Sequence, residues 1–160
     1  AEMDSAEFDR RCAEEARALG HELDGASVLA VLAGAVRPAM VSALDRLKAE
    51  GFRLGCITNN VPAGHGAGMA RSADAHDEME QIFARFEHVI ESSKAGVRKP
   101  DPRIYLMMCE ALGLAPAQCV YLDDLGINCK PAAALGMQAI KVTSGEQALA
   151  DLGQVLGLSF

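Results

Sequence analysis

The stretch CVYLDDLGINCKPAAALGMQAIKV, residues 119–142, decides the fold. Residues 119–122 are an apolar run of strand length that closes on the acidic pair Asp123-Asp124. Asn128 can cap a short helix, Pro131 is tolerated in that helix's first turn, and Gly136 ends it. A second apolar strand, residues 138–142, follows at once. A strand, a helix and another strand in so short a stretch imply two parallel strands joined by a right-handed crossover.

The same alternation extends outward. Residues 144–156 read as a final helix. Upstream, Asp101 then Pro102 is a helix start, a cap followed by proline at the first helical position. Ile104, Met108 and Leu112 share one face of that helix before Gly113 closes it. Residues 92–99 read as a loop that contains Gly96 and ends at Lys99; residues 88–91 read as a strand and 75–86 as a helix. Residues 61–73, VPAGHGAGMARSA, are Gly- and Ala-rich, lack the strand-to-helix phosphate fingerprint and read as a flexible connection. Residues 52–57 are a strand ending in Thr58-Asn59-Asn60, preceded by a helix from Pro38 whose Val41, Leu44 and Leu47 keep helical spacing to near Gly51. Residues 5–19, with Ser5 as N-cap and Gly20 as stop, read as a charged surface helix, and 25–34 as a shorter helical pattern. Strands separated by helices predict an α/β, Rossmann-like core with a parallel sheet.

Composition narrows the partners. The 160 residues, half of them hydrophobic, are enough for one core with a small appendage. A net charge of −7 and a pI near 5.0 argue against nucleic acid as a partner, because phosphate backbones are bound through clustered Lys and Arg. Five scattered cysteines with no CxxC pair suggest reduced core thiols rather than a disulfide framework or a zinc site. With no apolar run near the ~20 residues of a membrane span and no leader, the expectation is a cytoplasmic protein with no membrane partner. The chain opens Ala1-Glu2, so residue 1 need not be where the gene product begins.

In open parallel sheets, ligands bind outside the carboxyl ends of the strands. Thr58 and Asn59 end one strand, Asp123 and Asp124 end another, and Lys99 stands in a loop ahead of a capped helix. Two adjacent carboxylates repel unless a cation or a shared proton compensates them, and hard oxygen ligands favour Mg²⁺. A divalent ion beside an amine and a hydroxyl suits phosphoryl groups, whose transfer needs mainly positioning and charge neutralisation. His21, His65, His76 and His88 show no ligand spacing, the methionines read as core filler, and Cys129 reads as a packing residue.

Three strings carry a resemblance. GCITNN (55–60), SSKAGVRKPDPRIY (92–105) and VYLDDLGINCKPAAALGM (120–137) resemble, in order and interval, motifs two, three and four of the haloacid dehalogenase (HAD) superfamily. Their wording is most similar to the N-terminal phosphatase domain of soluble epoxide hydrolase and to the HAD domain of acyl-CoA dehydrogenase fusion proteins. The resemblance covers roughly residues 36–143 and implies a small-molecule phosphate ester as substrate. It implies that Thr58 hydrogen-bonds the phosphoryl oxygens, that Asn59 helps position the phosphate, and that Lys99 neutralises nucleophile and transferring group. Asp124 is implied to coordinate Mg²⁺ directly, Asp123 to act through a metal-bound water and Lys99, and Asn128 to support that shell. Residues 1–35 are implied to be the rear of an α-helical cap and 36–160 the core. A homodimer or a fused domain is compatible with this reading.

The family's first motif, an apolar strand ending in Asp-x-Asp, has no counterpart among these residues. The nearest string, Glu22-Leu23-Asp24-Gly25, has no strand before it. In related folds that strand lies mid-sheet, between the strands ending at Thr58 and Asp123, so two unpaired edges and an exposed apolar surface are expected here. The principal expectation is Mg²⁺-dependent hydrolysis of a phosphate monoester through an aspartyl-phosphate whose nucleophile lies upstream, the 160 residues alone being inactive. The alternative is a non-catalytic phosphate-binding or scaffold module. A receiver domain would present its Asp pair first, and the dehalogenating branch needs no metal, so both fit less well.

Overall fold

The computed structural model describes residues 5–32, 36–59 and 73–160, and His65 and the Gly-rich connection up to residue 72 lie outside them. The chain divides into two compact units, Ala1–Val36 with Asn60–Gln81, and Arg37–Asn59 with Ile82–Phe160. In the first unit, α1 (Ser5–Ala18) and α2 (Gly25–Leu32) pack together. Asp9 accepts from the Ala26 N–H at 3.1 Å, and a Cβ at Gly25 would meet the Asp9 Cα at 2.6 Å, so only glycine permits this approach.

The second unit is built on four short strands: β1 (Gly55–Thr58), β2 (His88–Glu91), β3 (Val120–Asp123) and β4 (Gln138–Lys141). They form two parallel pairs. β1 lies beside β2 with Thr58 opposite Glu91, and β3 beside β4 with Asp123 opposite Lys141. Of the remaining helices, α3 (Pro38–Ala49) precedes β1 and α5 (Ser92–Ala95) follows β2, while α4 (Ala73–Phe83) lies in the first unit up to Gln81. Then come α6 (Pro102–Leu112), α7 (Gly126–Ala134) between β3 and β4, and α8 (Gly145–Leu156).

Strand alternation sorts the core into two layers. Tyr121, Ala139, Ile57 and Ile90 pack on one side against Ile104, Tyr105 and Cys109 of α6 and Ala132 of α7. Val120, Leu122 and Ile140 pack on the other against Leu47 of α3 and Leu152 of α8. Both faces are covered, which explains why the strands read as continuous apolar runs rather than alternating ones.

The two pairs do not join into one sheet. Between them lies a cleft of about 400 Å³, lined by Leu54 and Ile57 from the β1 side and by Val120 and Leu122 from β3. Leu47 and Met108 close its two faces. Among the described residues β1 has no hydrogen-bonded strand partner besides β2, and β3 none besides β4.

Several boundaries differ from the sequence reading. The ladder of β1 begins at Gly55 rather than residue 52, because its partner β2 begins at His88. Residues 52–54 are held otherwise: the Arg53 guanidinium grips Glu87 at 2.8 and 2.9 Å and also donates to the Leu112 carbonyl. The loop at 92–99 contains the single turn α5, closed by Gly96 at φ 70°, too short for any periodic signal. Asn128 is not a cap: α7 starts at Gly126, which places Asn128 and Pro131 inside the helix. The other ends agree to within three residues, and the Asp101 cap, Pro102 start and Gly113 stop of α6 stand where expected.

Candidate active site

Asp123 ends β3 on the α6–α7 side of the strands and is buried. Its Oδ2 accepts from Lys99 Nζ at 2.9 Å and from the Tyr121 hydroxyl at 2.6 Å. Its Oδ1 accepts from the Leu125 N–H at 2.9 Å and from Asn128 Nδ2 at 3.0 Å. A carboxylate has about four acceptor positions, and protein donors fill all of them. Burial, the largest single influence, pushes the Asp123 pKa up, but the donors from Tyr121, Lys99, Leu125 and Asn128 together hold it below the ordinary value.

Lys99 is delivered to this carboxylate by Asn59. The Asn59 side chain accepts from the Lys99 N–H at 2.9 Å and donates to the Lys99 carbonyl at 3.0 Å. Both ends of that amide are therefore spent on the Lys99 backbone. The lysine side chain is 14% exposed and its partner 5%, so the pair is shielded from solvent. Thr58 stands one residue before Asn59, half-buried at the carboxyl end of β1. Asp124 differs from its neighbour: it is exposed, with no hydrogen-bond or ion-pair partner among the described residues.

These five residues lie at the carboxyl ends of β1 and β3 and in the loop before α6, as the sequence reading placed them. Asn128 joins them from α7 as a donor to Asp123, not as a cap. Tyr121 was missed. The available signal was period two: a tyrosine two residues before Asp123 shares its face of the strand, and its hydroxyl can reach the carboxylate. The string at 22–25 is structural, since Asp24 Oδ1 accepts from the Ser27 N–H at 2.5 Å at the start of α2. Cys129 is buried, with Sγ 3.5 Å from the Asp123 carbonyl, a packing position.

The donor set can be tested against a divalent metal. Among the described residues no three His, Cys, Asp or Glu side chains cluster as a cage. Mg²⁺ needs none, since it keeps several waters and takes one or two carboxylates beside substrate oxygens. Asp124 has open oxygens for such an ion, and Asp123 has none. The residues fit Mg²⁺ held by one carboxylate of the pair.

A model of the haloacid dehalogenase-like hydrolases matches residues 2–136. Acyl-CoA dehydrogenase family member 10 of Mus musculus is 35% identical over 120 residues, covering 75% of this chain and 10% of that protein. Bifunctional epoxide hydrolase 2 of Rattus norvegicus is 32% identical over 163 residues, covering 96% of this chain and 28% of that protein. The chain therefore spans only a tenth and just over a quarter of these relatives. Its fold is similar to that of a wild-type HAD family enzyme of Bacteroides thetaiotaomicron solved with magnesium and inorganic phosphate. The TM-score is 0.61 at 20% identity, over 89% of this chain and 71% of that one.

Proposed function

The chain belongs to the haloacid dehalogenase-like hydrolases, and from that membership we propose that it forms the rear part of a Mg²⁺-dependent phosphate monoester hydrolase. The observation that carries the reading is the shielded Lys99–Asp123 pair, 2.9 Å long, at the strand end beside Thr58 and the open Asp124. Such a group offers a fixed cation, a hydroxyl donor and a metal-ligating carboxylate to one phosphoryl group. The similar Bacteroides enzyme, solved with magnesium and phosphate, has the same fold and supports the same reading.

In this proposal Thr58 donates its hydroxyl to a phosphoryl oxygen. Lys99, set by Asn59 and Asp123, neutralises charge on the phosphoryl oxygens and on the attacking carboxylate. Asp124 would hold Mg²⁺, and Asp123 and Asn128 fix the turn that presents it. When bound, the ion supplies neutralisation of the phosphoryl oxygens. The nucleophile is an aspartate on a strand upstream of residue 1. Its carboxylate forms a bond to phosphorus as the P–O ester bond breaks and the leaving oxygen takes a proton from the second aspartate of the same Asp-x-Asp motif. That aspartate then takes a proton from the water that cleaves the acyl-phosphate, releasing inorganic phosphate and restoring the carboxylate. The facing edges of β1 and β3, with an apolar cleft between them, suit such a strand, and it would end beside Thr58 and Asp123. Residues 1–35 would belong to the family's helical cap.

The second reading, a non-catalytic phosphate-binding or scaffold module, rests on the lack of an Asp-x-Asp strand within these residues. Hydrolysis of p-nitrophenyl phosphate by the natural polypeptide separates the two. The enzyme reading expects turnover that requires Mg²⁺ and falls by about 10²-fold or more in Asp124→Asn and Lys99→Ala. Mg²⁺-independent turnover, or turnover indifferent to both substitutions, would refute it.

A further inference from the structure

Cys109 and Cys119 are 10 residues apart in the chain, and their Sγ atoms lie 3.9 Å apart in the fold. Local chemistry brings them together. Gly113, at φ 62°, closes α6, and the single 3₁₀ turn Pro116–Gln118 follows, so that Cys119 returns to the end of the helix. Both backbones are held there: the Cys109 carbonyl accepts from the Leu114 N–H at 2.9 Å, and the Cys119 carbonyl from the Gln138 N–H at 3.0 Å. Among the described residues no other two cysteine sulfurs lie within hydrogen-bond distance.

The two thiols differ in access. Cys119 is half-buried beside the exposed Gln118, and its S–H donates to the Ala115 carbonyl at 3.5 Å. With that proton spent, the contact between the sulfurs is the Cys109 S–H donating to the Cys119 sulfur. Cys109 is buried, and burial, then the neighbouring sulfur, pushes its pKa up to about 11. A small oxidant therefore meets Cys119 first, with Cys109 still a thiol in contact behind it. We propose that the pair is a site of reversible oxidative modification, at which a hydroperoxide converts Cys109 and Cys119 to a disulfide that ties the end of α6 to the start of β3. The Cys119 thiolate attacks one peroxide oxygen, the O–O bond breaks, and the other oxygen leaves with a proton as water or an alcohol, making Cys119 a sulfenic acid. The Cys109 sulfur then attacks the Cys119 sulfur, the S–O bond breaks, and hydroxide leaves with the Cys109 proton as water. Two electrons pass from the thiols to the peroxide. None of this depends on the phosphate chemistry at the opposite end of β3.

The test treats the reduced natural polypeptide with hydrogen peroxide and maps its cysteines by mass spectrometry. Cleavage after Glu110 separates the two residues, so a linked pair of peptides reports the bond, and fragmentation between Cys119 and Cys129 assigns it. The expected result is a Cys109–Cys119 link that dithiothreitol reverses. The oxidised protein should unfold at a midpoint about 5 °C or more higher, since a bond made without distorting the fold acts by restricting the unfolded chain. In Cys109→Ser the reaction should stop at the sulfenic acid, which dimedone traps on Cys119. If Cys109 and Cys119 stay reduced while other cysteines or the methionines are oxidised, the two thiols are core packing and the proposal falls. A Cys109–Cys119 link that lowers the thermal midpoint overturns it as well, because such a bond forms only in the unfolded chain.

Discussion

At the scale of single residues, the site is a case of one carboxylate doing structural service for another. Asp123 is saturated and buried, Asp124 is open and exposed, and the difference follows from strand geometry. Asp123 points into the α6–α7 layer, where Lys99, Tyr121 and Asn128 converge, and the chain turns before Asp124 can be enclosed. Removing the cation tests how much this costs. In Lys99→Met the carboxylate keeps three donors but loses its counter-charge in a shielded position. Breaking a buried pair costs about 3–5 kcal/mol, and the remaining donors place the loss at the lower end, about 3 kcal/mol by urea denaturation. The double variant Lys99→Met/Asp123→Asn should recover most of that loss. An unchanged urea midpoint in the single variant would contradict this account of the pair. Residue types and spacing made Thr58, Lys99 and the Asp pair legible in the sequence. The Tyr121 bond and the Asn59 clamp on Lys99 were not, since each depends on which groups the folded chain brings within 3 Å of each other.

At the scale of elements, legibility followed the strength of local chemistry. α6 was readable because Asp101, Pro102 and Gly113 mark its ends: Asp101 accepts from the Arg103 N–H at 2.9 Å, and Gly113 takes φ 62°. α5 was invisible because a four-residue turn carries no period. Asn128 was misread as a cap because its side chain serves a tertiary partner, Asp123, instead of its own helix. The α6 cap also makes a pH prediction. Hydrogen bonds from the Arg103 side chain and N–H hold the Asp101 pKa at about 2, against an ordinary 3.8. A lowered carboxylate pKa contributes stability that is fully present above the unfolded value and is lost as pH falls through the folded one. The thermal midpoint should therefore lose this contribution between about pH 4 and pH 2, and Asp101→Asn should show a shallower decline over that window. Parallel curves for the two proteins would rule the cap out as an acid-sensitive element.

At the scale of the molecule, the division of the strands into two pairs is the feature that local reading alone could not supply. Each βα unit was legible in its own apolar runs and glycine stops. The gap between β1 and β3 belongs to no segment and is visible only when the chain is folded. Its walls are apolar, and the proposal puts one more parallel strand there, with an aspartate at that strand's carboxyl end. Mg²⁺-dependent phosphate release from p-nitrophenyl phosphate, measured side by side for residues 1–160 and for the natural polypeptide with any segment that precedes them, tests this directly. Turnover is expected from the natural polypeptide and none from residues 1–160 alone. Equal turnover by both, or none by the natural polypeptide, would contradict the proposal.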